Sequence, residues 1–138
     1  MAEETRPPVE YLTVGDVEAV HRDLIAGAGA PSILLQPGAL ESAVHRPRNV
    51  AYYENADLFV QAAHLIGGIA LAHAFEDGNK RLAYACGLTF LRQNGIRITG
   101  SPEAIADQVL AIVNRGTQTL GDASAACAAW LAAHAEQV

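Results

Sequence analysis

Residues 73 to 81 hold side chains that could carry out chemistry together, and they are close enough in sequence to share one site. The segment is His-Ala-Phe-Glu-Asp-Gly-Asn-Lys-Arg, with apolar sequence on both sides of it. Imidazole accepts a proton near neutral pH, carboxylates bind hard cations, and Lys and Arg neutralise phosphate charge. So much polar chemistry in a largely apolar chain indicates either an active site or a polar turn between two buried helices.

The second half of this segment predicts a phosphate site at a helix N-terminus. We expect Glu76-Asp77-Gly78 to form the turn and Asn79-Lys80-Arg81 to begin the next helix. The first N–H groups of a helix lack an intrahelical acceptor and point out of its positive end. Gly78 lets the backbone approach a ligand closely, and Lys80 and Arg81 add charge at the same place. Backbone, helix dipole and cations would therefore bind a polyphosphate together.

Asp77 and His73 extend this interpretation to catalysis. Asp77 would repel a phosphate unless a cation such as Mg2+, which takes both carboxylate and phosphate ligands, lies between them. His73 is the nearby side chain that could act as a general base at neutral pH. However, Asp-Gly-Asn is also a common turn between helices, and a histidine at a helix C-terminus can simply complement the dipole. The residues alone leave the structural turn and the active site both open.

Two core helices must position this segment. From Asp57 to Ala72, apolar residues recur with helical spacing on more than one face, which predicts a deeply buried helix. A second apolar helix is predicted from about 79 to 93, and it ends at the Asn94-Gly95 C-cap signal. The polar segment therefore connects two helices of the core.

Four further helices and one extended segment complete the prediction. The helices are expected after Thr13 and up to Gly27, between the prolines at 37 and 47, from Ser101-Pro102 to Gly116, and over about 122–135, the last packing through Trp130 and Leu131. Residues 46–54 lack a helical period and contain a proline with β-branched and aromatic residues, which predicts an exposed extended segment. The predicted fold class is all-α.

Composition limits the other functions of the chain. At 138 residues it has the length of one domain, so we expect a loose lead-in at 1–10 and a single domain at 11–138. The formal charge of −6 argues against nucleic acid as a direct partner. No secretory signal and no membrane-spanning run are evident, so we expect no membrane partner and a cytoplasmic location.

The other histidines and the two cysteines are predicted to have structural roles. Both thiols lie in apolar, helix-like sequence, where buried reduced cysteines are expected: Cys86 and Cys127. Four histidines have no metal-ligand spacing, so core or surface packing is expected: His21, His45, His64 and His134.

The segment at 73–81 resembles the signature of the Fic/Doc family. That signature is H-x-F-x-D/E-G-N-G-R in the adenylylating Fic branch and H-x-F-x-D-A-N-K-R in the death-on-curing (Doc) toxins. The similarity continues in LTVGDVEAVHRDLI, in residues 38–43 with the following Arg46-Pro47-Arg48, in DLFVQAAHLI and in LTFLRQNG. It covers about residues 11 to 116 and weakens in the Ala-rich tail.

The resemblance implies a compact Fic/Doc bundle of about six helices that transfers part of a nucleotide, with ATP and Mg2+ as cofactors, to a protein hydroxyl. In this pattern His73 corresponds to the general base and Asp77 to the Mg2+ carboxylate. The positions that hold the phosphates are Gly78, Asn79, Lys80 and Arg81. Phe75 corresponds to an apolar anchor that fixes the loop to the core.

Two positions favour the Doc branch. Lys80 stands where the adenylylating motif has a second Gly, and its side chain would occupy space that the α- and β-phosphates otherwise use. Tyr84 stands where that motif has a second Arg, and a phenol cannot make a bidentate cationic contact. Because Doc toxins transfer the γ-phosphoryl group, the resemblance implies a protein kinase. Gly78 replaces the Ala of the Doc pattern, as in the Fic branch, so AMP transfer is the alternative.

The resemblance also implies partners. The Doc target class is elongation factor Tu, modified at a threonine so that translation stops. Residues 46–54 correspond to a flap that holds a target peptide as an added strand, with an ordinary loop as the other interpretation. The docking side chains of this flap would be Arg46, Asn49, Tyr52 and Tyr53.

Regulation is expected to come from a second protein. Fic enzymes are silenced by a helix with the pattern S/T-x-x-x-E-G/N, and the nearest segment here is VAYYEN. Val50 occupies the hydroxyl position, and the segment is predicted not to be helical. A small toxin without such a helix should depend on a separate Phd-like antitoxin. A catalytically idle Fic-like binding module is a further hypothesis, against which the intact His73, Asp77, Asn79 and Arg81 argue.

Overall fold

The chain is mainly helical in the computed structural model, which describes residues 8–27, 29 and 31–138. The described residues form six helices: α1 (Val14–Ala26), α2 (Pro37–Glu54), α3 (Leu58–Ala72), α4 (Asn79–Gln93), α5 (Pro102–Val113) and α6 (Leu120–Ala133). Two short strands, β1 (Ile96–Ile98) and β2 (Ala135–Gln137), pair antiparallel. The all-α prediction is confirmed. None of the helices within these described ranges is long and apolar enough to cross a membrane.

Helix α3 lies at the centre of the fold and packs against α2, α4, α5 and α6. Every residue from Gln61 to Ala70 is buried, so this part of the helix is enclosed on all sides. The helix begins at Asp57, whose carboxylate accepts a hydrogen bond from the Val60 N–H at 2.9 Å. It ends at His73, which has a left-handed conformation with φ 48°. The predicted buried helix is confirmed.

Glycines set the close approach of the helices on either side of α3. A Cβ atom at Gly87 of α4 would lie 2.5 Å from Ile66 Cγ1 of α3. A Cβ atom at Gly68 of α3 would lie 2.8 Å from Arg46 Cδ of α2. Such distances are shorter than carbon atoms can approach without a shift. The two helices that flank the polar segment, α3 and α4, therefore pack through a position without a side chain.

Helix α2 differs from the prediction. The predicted helix stops at Pro47 and an extended segment follows, but the observed helix continues through Pro47 to Glu54. The buried residues of α2 recur at i, i+3, i+4, i+7 and i+10: Leu40, Ala43, Val44, Pro47 and Val50. Packing of this apolar stripe against α3 outweighs the hydrogen bond that proline cannot donate. The prediction of an extended flap was wrong, because its four proposed docking residues are helical: Arg46, Asn49, Tyr52 and Tyr53.

Helices α1 and α5 begin at the predicted caps, whereas α6 begins at Leu120 after a Thr119 cap that was not predicted. Thr13 Oγ1 accepts a hydrogen bond from Asp16 N, and the Asp16 carboxylate accepts one from Thr13 N, which forms a capping box at the start of α1. Ser101 caps α5. In α6, Leu131 is buried and Trp130 is half-buried against the core. Local cap signals were therefore sufficient to locate the starts of α1 and α5.

The predicted lead-in at residues 1–10 is described only from residue 8 onward. There the Glu10 N–H donates to Asn94 Oδ1 at 2.9 Å, and the Glu10 carbonyl accepts from Asn94 Nδ2 at 2.9 Å. These bonds attach the last residue of the lead-in to the C-terminal end of α4. The other residues of the predicted lead-in, 1–7, lie outside the described part of the chain.

Candidate active site

The loop between α3 and α4 carries the polar segment, and the residues before α2 hold its backbone. The Ala74 carbonyl accepts a hydrogen bond from Leu35 N at 2.7 Å, and Glu76 N donates to Ile33 O at 2.9 Å. The loop is therefore paired with a neighbouring strand-like segment rather than extended into solvent. Such pairing satisfies backbone groups that a tight turn would otherwise leave unpaired.

Phe75 and Asn79 close the loop from the inside. The Phe75 side chain is buried, as its predicted role as an anchor requires, and its ring stacks on that of His21 with centroids 3.8 Å apart. Asn79 Oδ1 accepts from Phe75 N at 3.1 Å, and Asn79 Nδ2 donates to Phe75 O at 2.9 Å. Both polar atoms of the Asn79 side chain are thus used by the loop. Asn79 can still offer a phosphate its backbone N–H and the second hydrogen of Nδ2.

A second support for the loop comes from α1. His21 is buried, with Nε2 2.8 Å from the Asp77 carbonyl oxygen and Nδ1 2.6 Å from Ser32 Oγ. His21 was predicted to have a packing role alone, and Ser32 had no predicted role. No local signal could have found this contact, because His21 and Asp77 are 56 residues apart in the sequence.

The polar side chains of the segment line one cavity of about 310 Å³. Its lining residues are Ala70, His73, Glu76, Asp77, Gly78, Asn79, Lys80 and Arg81. The volume is at the lower end of the range for small-molecule sites, roughly 300–1,000 Å³. The exposed imidazole of His73, at the end of α3, therefore shares one space with the first turn of α4. Of the predicted residues in this segment, Phe75 alone faces the core, and Glu76 joins the cavity without having been predicted.

The start of α4 is suited to bind an anion. Gly78 is the N-cap residue with φ 80°, and within the described residues no side chain caps the helix. The N–H groups of residues 79–81 therefore point out of the positive end of the helix toward the cavity. Lys80 and Arg81 are exposed at the same place and add two positive charges. Backbone and side chains together match the chemistry of a phosphate group.

Asp77 fits a Mg2+ site that is completed by a phosphorylated ligand. Its Oδ1 accepts a hydrogen bond from Gly78 N at 2.8 Å, which orients the carboxylate and leaves Oδ2 for a cation. In the part of the chain that the structure describes, no group of three or more His, Cys, Asp and Glu could hold a metal. Mg2+ does not require such a group, because it commonly takes one or two carboxylates and fills its other positions with phosphate oxygens and water.

The four residues of the predicted flap lie outside this cavity. Arg46 and Asn49 line a separate cavity of about 390 Å³ on α2. Arg46 Nη2 also donates to His64 Nδ1 at 3.0 Å. Tyr52 and Tyr53 are 81% and 79% exposed near the end of α2. None of the four therefore lines the cavity that contains His73, although Arg46 lines a further cavity together with Ala72, the residue before His73.

Several titratable groups outside the cavity are buried in their neutral form. Burial lowers the pKa of His64, and the charge of Arg46 lowers it further. Burial raises the pKa of the Cys86 thiol to about 12 and that of the Cys127 thiol to about 11. Both cysteines are free and buried, which confirms the predicted structural role.

The helical fold around α3 and the polar cavity at the start of α4 define a Fic/Doc protein, and this chain belongs to the Fic/Doc family. The sequence model of the Fic/DOC family matches residues 11–91, which contain α1 to α3 and most of α4. The family resemblance predicted from the polar segment is confirmed.

Two known relatives belong to the Doc branch by name. Protein kinase doc of Escherichia phage P1 is 34% identical over 96 residues, which are 69% of this chain and 76% of the relative. Toxin Doc of Mycolicibacterium smegmatis is 43% identical over 94 residues, which are 64% of this chain and 68% of the relative. These names agree with the branch that Lys80 and Tyr84 favoured.

Proposed function

We propose that this protein is a Doc-type toxin that transfers the γ-phosphoryl group of Mg-ATP to a Ser or Thr hydroxyl of a target protein. The observation that carries the proposal is the single cavity lined by His73 and by the first turn of α4. A base at one side of this space and phosphate-binding groups at the other match the needs of phosphoryl transfer. The relative named Protein kinase doc supports transfer of the γ-phosphoryl group over transfer of AMP.

In this reaction His73 accepts the proton of the target hydroxyl. The hydroxyl oxygen forms a bond to the γ-phosphorus, the bond from that phosphorus to the β–γ bridging oxygen breaks, and ADP leaves. Lys80, Arg81 and the N–H groups at the start of α4 stabilise the charge on the phosphate oxygens. Asp77 would hold Mg2+, which when bound neutralises phosphate charge as a Lewis acid.

We infer that the target is elongation factor Tu in the cytoplasm and that a Phd-like antitoxin controls the toxin in trans. The segment VAYYEN was predicted not to be helical, and that prediction was wrong, because residues 50–54 end α2. Val50 still lacks the hydroxyl of the inhibitory pattern. Glu54 also lies far from the loop that carries His73. Helix α2 starts beside this loop, where Gln36 N donates to Ala74 O, and its 18 residues extend about 27 Å from there.

The chemistry can be tested with purified elongation factor Tu and ATP labelled at either the γ- or the α-phosphate. We expect γ-label on the target, a phosphoryl increment in its intact mass, and loss of both with His73→Ala. The matched control is His134→Ala, which changes the histidine at the C-cap of α6. Retained α-label would instead establish AMP transfer, the alternative that Gly78 favours. Transfer that persists in His73→Ala would contradict the assigned base.

The biological role can be tested in cells. Depletion of the antitoxin should arrest growth of the host, and His73→Ala should restore growth at equal protein level. Arrest that persists in the His73→Ala strain would point to a binding module instead of a kinase.

A further inference from the structure

We propose that His21 is a positioning residue that orients the Asp77 carboxylate for metal binding; the proposal rests on the function given above. His21 does not line the cavity, and its ring is 1% exposed. Its effect on the site must therefore pass through the groups that it contacts. Those groups are the Asp77 carbonyl oxygen, Ser32 Oγ and the ring of Phe75.

The hydrogen bond to Asp77 defines which nitrogen of His21 carries a proton. A carbonyl oxygen can only accept, so His21 Nε2 donates to the Asp77 oxygen at 2.8 Å. With Nε2 protonated, neutral imidazole leaves Nδ1 as an acceptor for the Ser32 hydroxyl at 2.6 Å. The stacking on Phe75 at 3.8 Å and 19° prevents the ring from tilting. Three contacts therefore hold the donor in one orientation.

One peptide group transmits this orientation to the carboxylate. The carbonyl that accepts from His21 and the N–H of Gly78 belong to the same peptide unit, between residues 77 and 78. That N–H donates to Asp77 Oδ1 at 2.8 Å. Because the peptide group is planar, fixing the direction of its carbonyl also fixes the opposite direction of its N–H. His21 thus determines where Asp77 Oδ1 lies, and with it the position of Oδ2 that a cation would bind.

Gly78 is needed for this arrangement. Its φ of 80° turns the chain from the loop into α4 while the 77–78 carbonyl stays directed at His21. Groups that orient a metal ligand without contacting the metal commonly matter for binding, and their loss lowers metal affinity or activity by about 10–100-fold.

Two substitutions at His21 separate positioning from packing. His21→Phe keeps a ring that can stack on Phe75 but removes the donor to Asp77. His21→Gln loses the ring but keeps an N–H donor at nearly the position of Nε2. The measurement is the Mg2+ concentration that gives half-maximal binding of ATP in calorimetry, together with the Mg2+ dependence of target phosphorylation. We expect His21→Phe to raise the required Mg2+ by about 10-fold or more and His21→Gln to stay within a few-fold of wild type.

Two further variants act as controls. His134→Phe makes the same change in a histidine that also stacks on an aromatic ring, Trp130 at 4.0 Å, but that lies at the C-cap of α6. It should leave the Mg2+ dependence unchanged. Ser32→Ala removes the partner of Nδ1 and should raise the Mg2+ requirement less than His21→Phe does. If His21→Phe does not fold, as judged by thermal melting, the Mg2+ requirements of Ser32→Ala and His21→Gln test the proposal instead. A Mg2+ requirement of Ser32→Ala equal to that of the wild type overturns it.

The possible failures are distinguishable. If His21→Phe binds Mg-ATP with the wild-type Mg2+ dependence, or if His21→Gln shows the same loss as His21→Phe, His21 acts by packing and the positioning role is wrong. If the wild type binds Mg-ATP but transfers no γ-phosphoryl group, the proposed function is wrong while the binding measurement still decides the role of His21. Wild-type protein that shows no Mg2+-dependent ATP binding would overturn both.

Discussion

At the scale of single residues, the two ends of the cavity depend on backbone conformations that most residues avoid. His73 has φ 48° and Gly78 has φ 80°. The left-handed conformation of His73 ends α3 and directs the chain away from the helix axis, so that the imidazole faces the first turn of α4. Non-glycine residues adopt this region at a cost of about 1–2 kcal/mol, which the contacts of the surrounding loop must offset. Backbone geometry at the loop thus belongs to the site as much as the side chains do.

Replacing Gly78 by Ala should lower the free energy of unfolding by about 1 kcal/mol, because its φ of 80° is unfavourable for a residue with a Cβ. The new Cβ has room, since the nearest atoms are Ile25 Cδ1 at 3.5 Å and His21 Nε2 at 3.6 Å. Urea denaturation measures the change. The control is Gly38→Ala in α2, where no atom of the described residues outside its own helical turn and chain neighbours lies within 4 Å of the added Cβ. Equal effects at the two positions would show that φ is not the cause.

The two thiols should be unreactive in the folded protein. Burial raises the pKa of Cys86 to about 12 and that of Cys127 to about 11, so almost no thiolate is present at neutral or mildly alkaline pH. Alkylation with iodoacetamide, read by intact mass, should leave both unmodified until denaturant is added. Rapid labelling of either cysteine under native conditions would contradict the buried position of that side chain.

At the scale of elements, α2 shows how packing overrides local signals. Pro47 breaks the hydrogen-bond ladder, and the residues after it favour extended structure, yet the helix continues to Glu54. Leu40, Val44 and Val50 lie on the same buried stripe, and this face needs helical geometry to contact α3 along its length. The helical spacing of this stripe was the signal in the sequence that could have predicted the longer helix.

The approach of α3 and α4 can be tested at Gly87. Its substitution by Ala should lower the free energy of unfolding by about 1–2 kcal/mol, because the overlap with Ile66 outweighs the better helix propensity of Ala. Chemical denaturation should show partial recovery when Ile66→Ala is added, since the second change removes the overlapping atoms. Gly121→Ala in α6 is the control, because among the residues that the structure describes the nearest contact of the added Cβ outside its own helical turn and chain neighbours is Thr119 Oγ1, at 3.9 Å. A Gly87→Ala protein as stable as wild type would show that the helices separate without cost.

At the scale of the whole molecule, buried polar contacts link the stability of the fold to pH. Arg46 can only donate, so His64 Nδ1 accepts its hydrogen bond and remains unprotonated. Burial and the nearby guanidinium both lower the pKa of His64 below its ordinary value of 6.5. Unfolded chains therefore bind this proton at a higher pH than folded ones. The contribution of His64 to stability is complete above pH 6.5 and is lost as pH falls through the lowered folded pKa.

Substituting His64 by Gln should remove this part of the pH dependence. Unfolding free energies measured above and below pH 6.5 should decrease toward acid more steeply in the wild type than in His64→Gln. The matched control is His45→Gln, because His45 is exposed on the same helix as Arg46. Parallel curves for the wild type and His64→Gln would show that His64 does not titrate differently on folding.

The sequence by itself determined the all-α class, the starts of α1, α3 and α5, the whole of α4, and the grouping of His73, Asp77, Lys80 and Arg81 at one turn. These features depend on neighbours within one or two helical turns, so caps, periodicity and the motif were enough to predict them. The same segment also predicted the Fic/Doc family, because the residues of the family motif follow one another in the sequence.

Only the tertiary structure decided how the loop is held and where the flap residues lie. The bond from His21 to Asp77, the pairing of Leu35 with Ala74 and the small sheet of β1 and β2 join segments far apart in the chain. Such contacts depend on which surfaces meet after the helices pack, and no local pattern contains that information. The continuation of α2 through Pro47 also depends on tertiary packing, because burial of its helical stripe against α3 outweighs the local preference of the residues after Pro47.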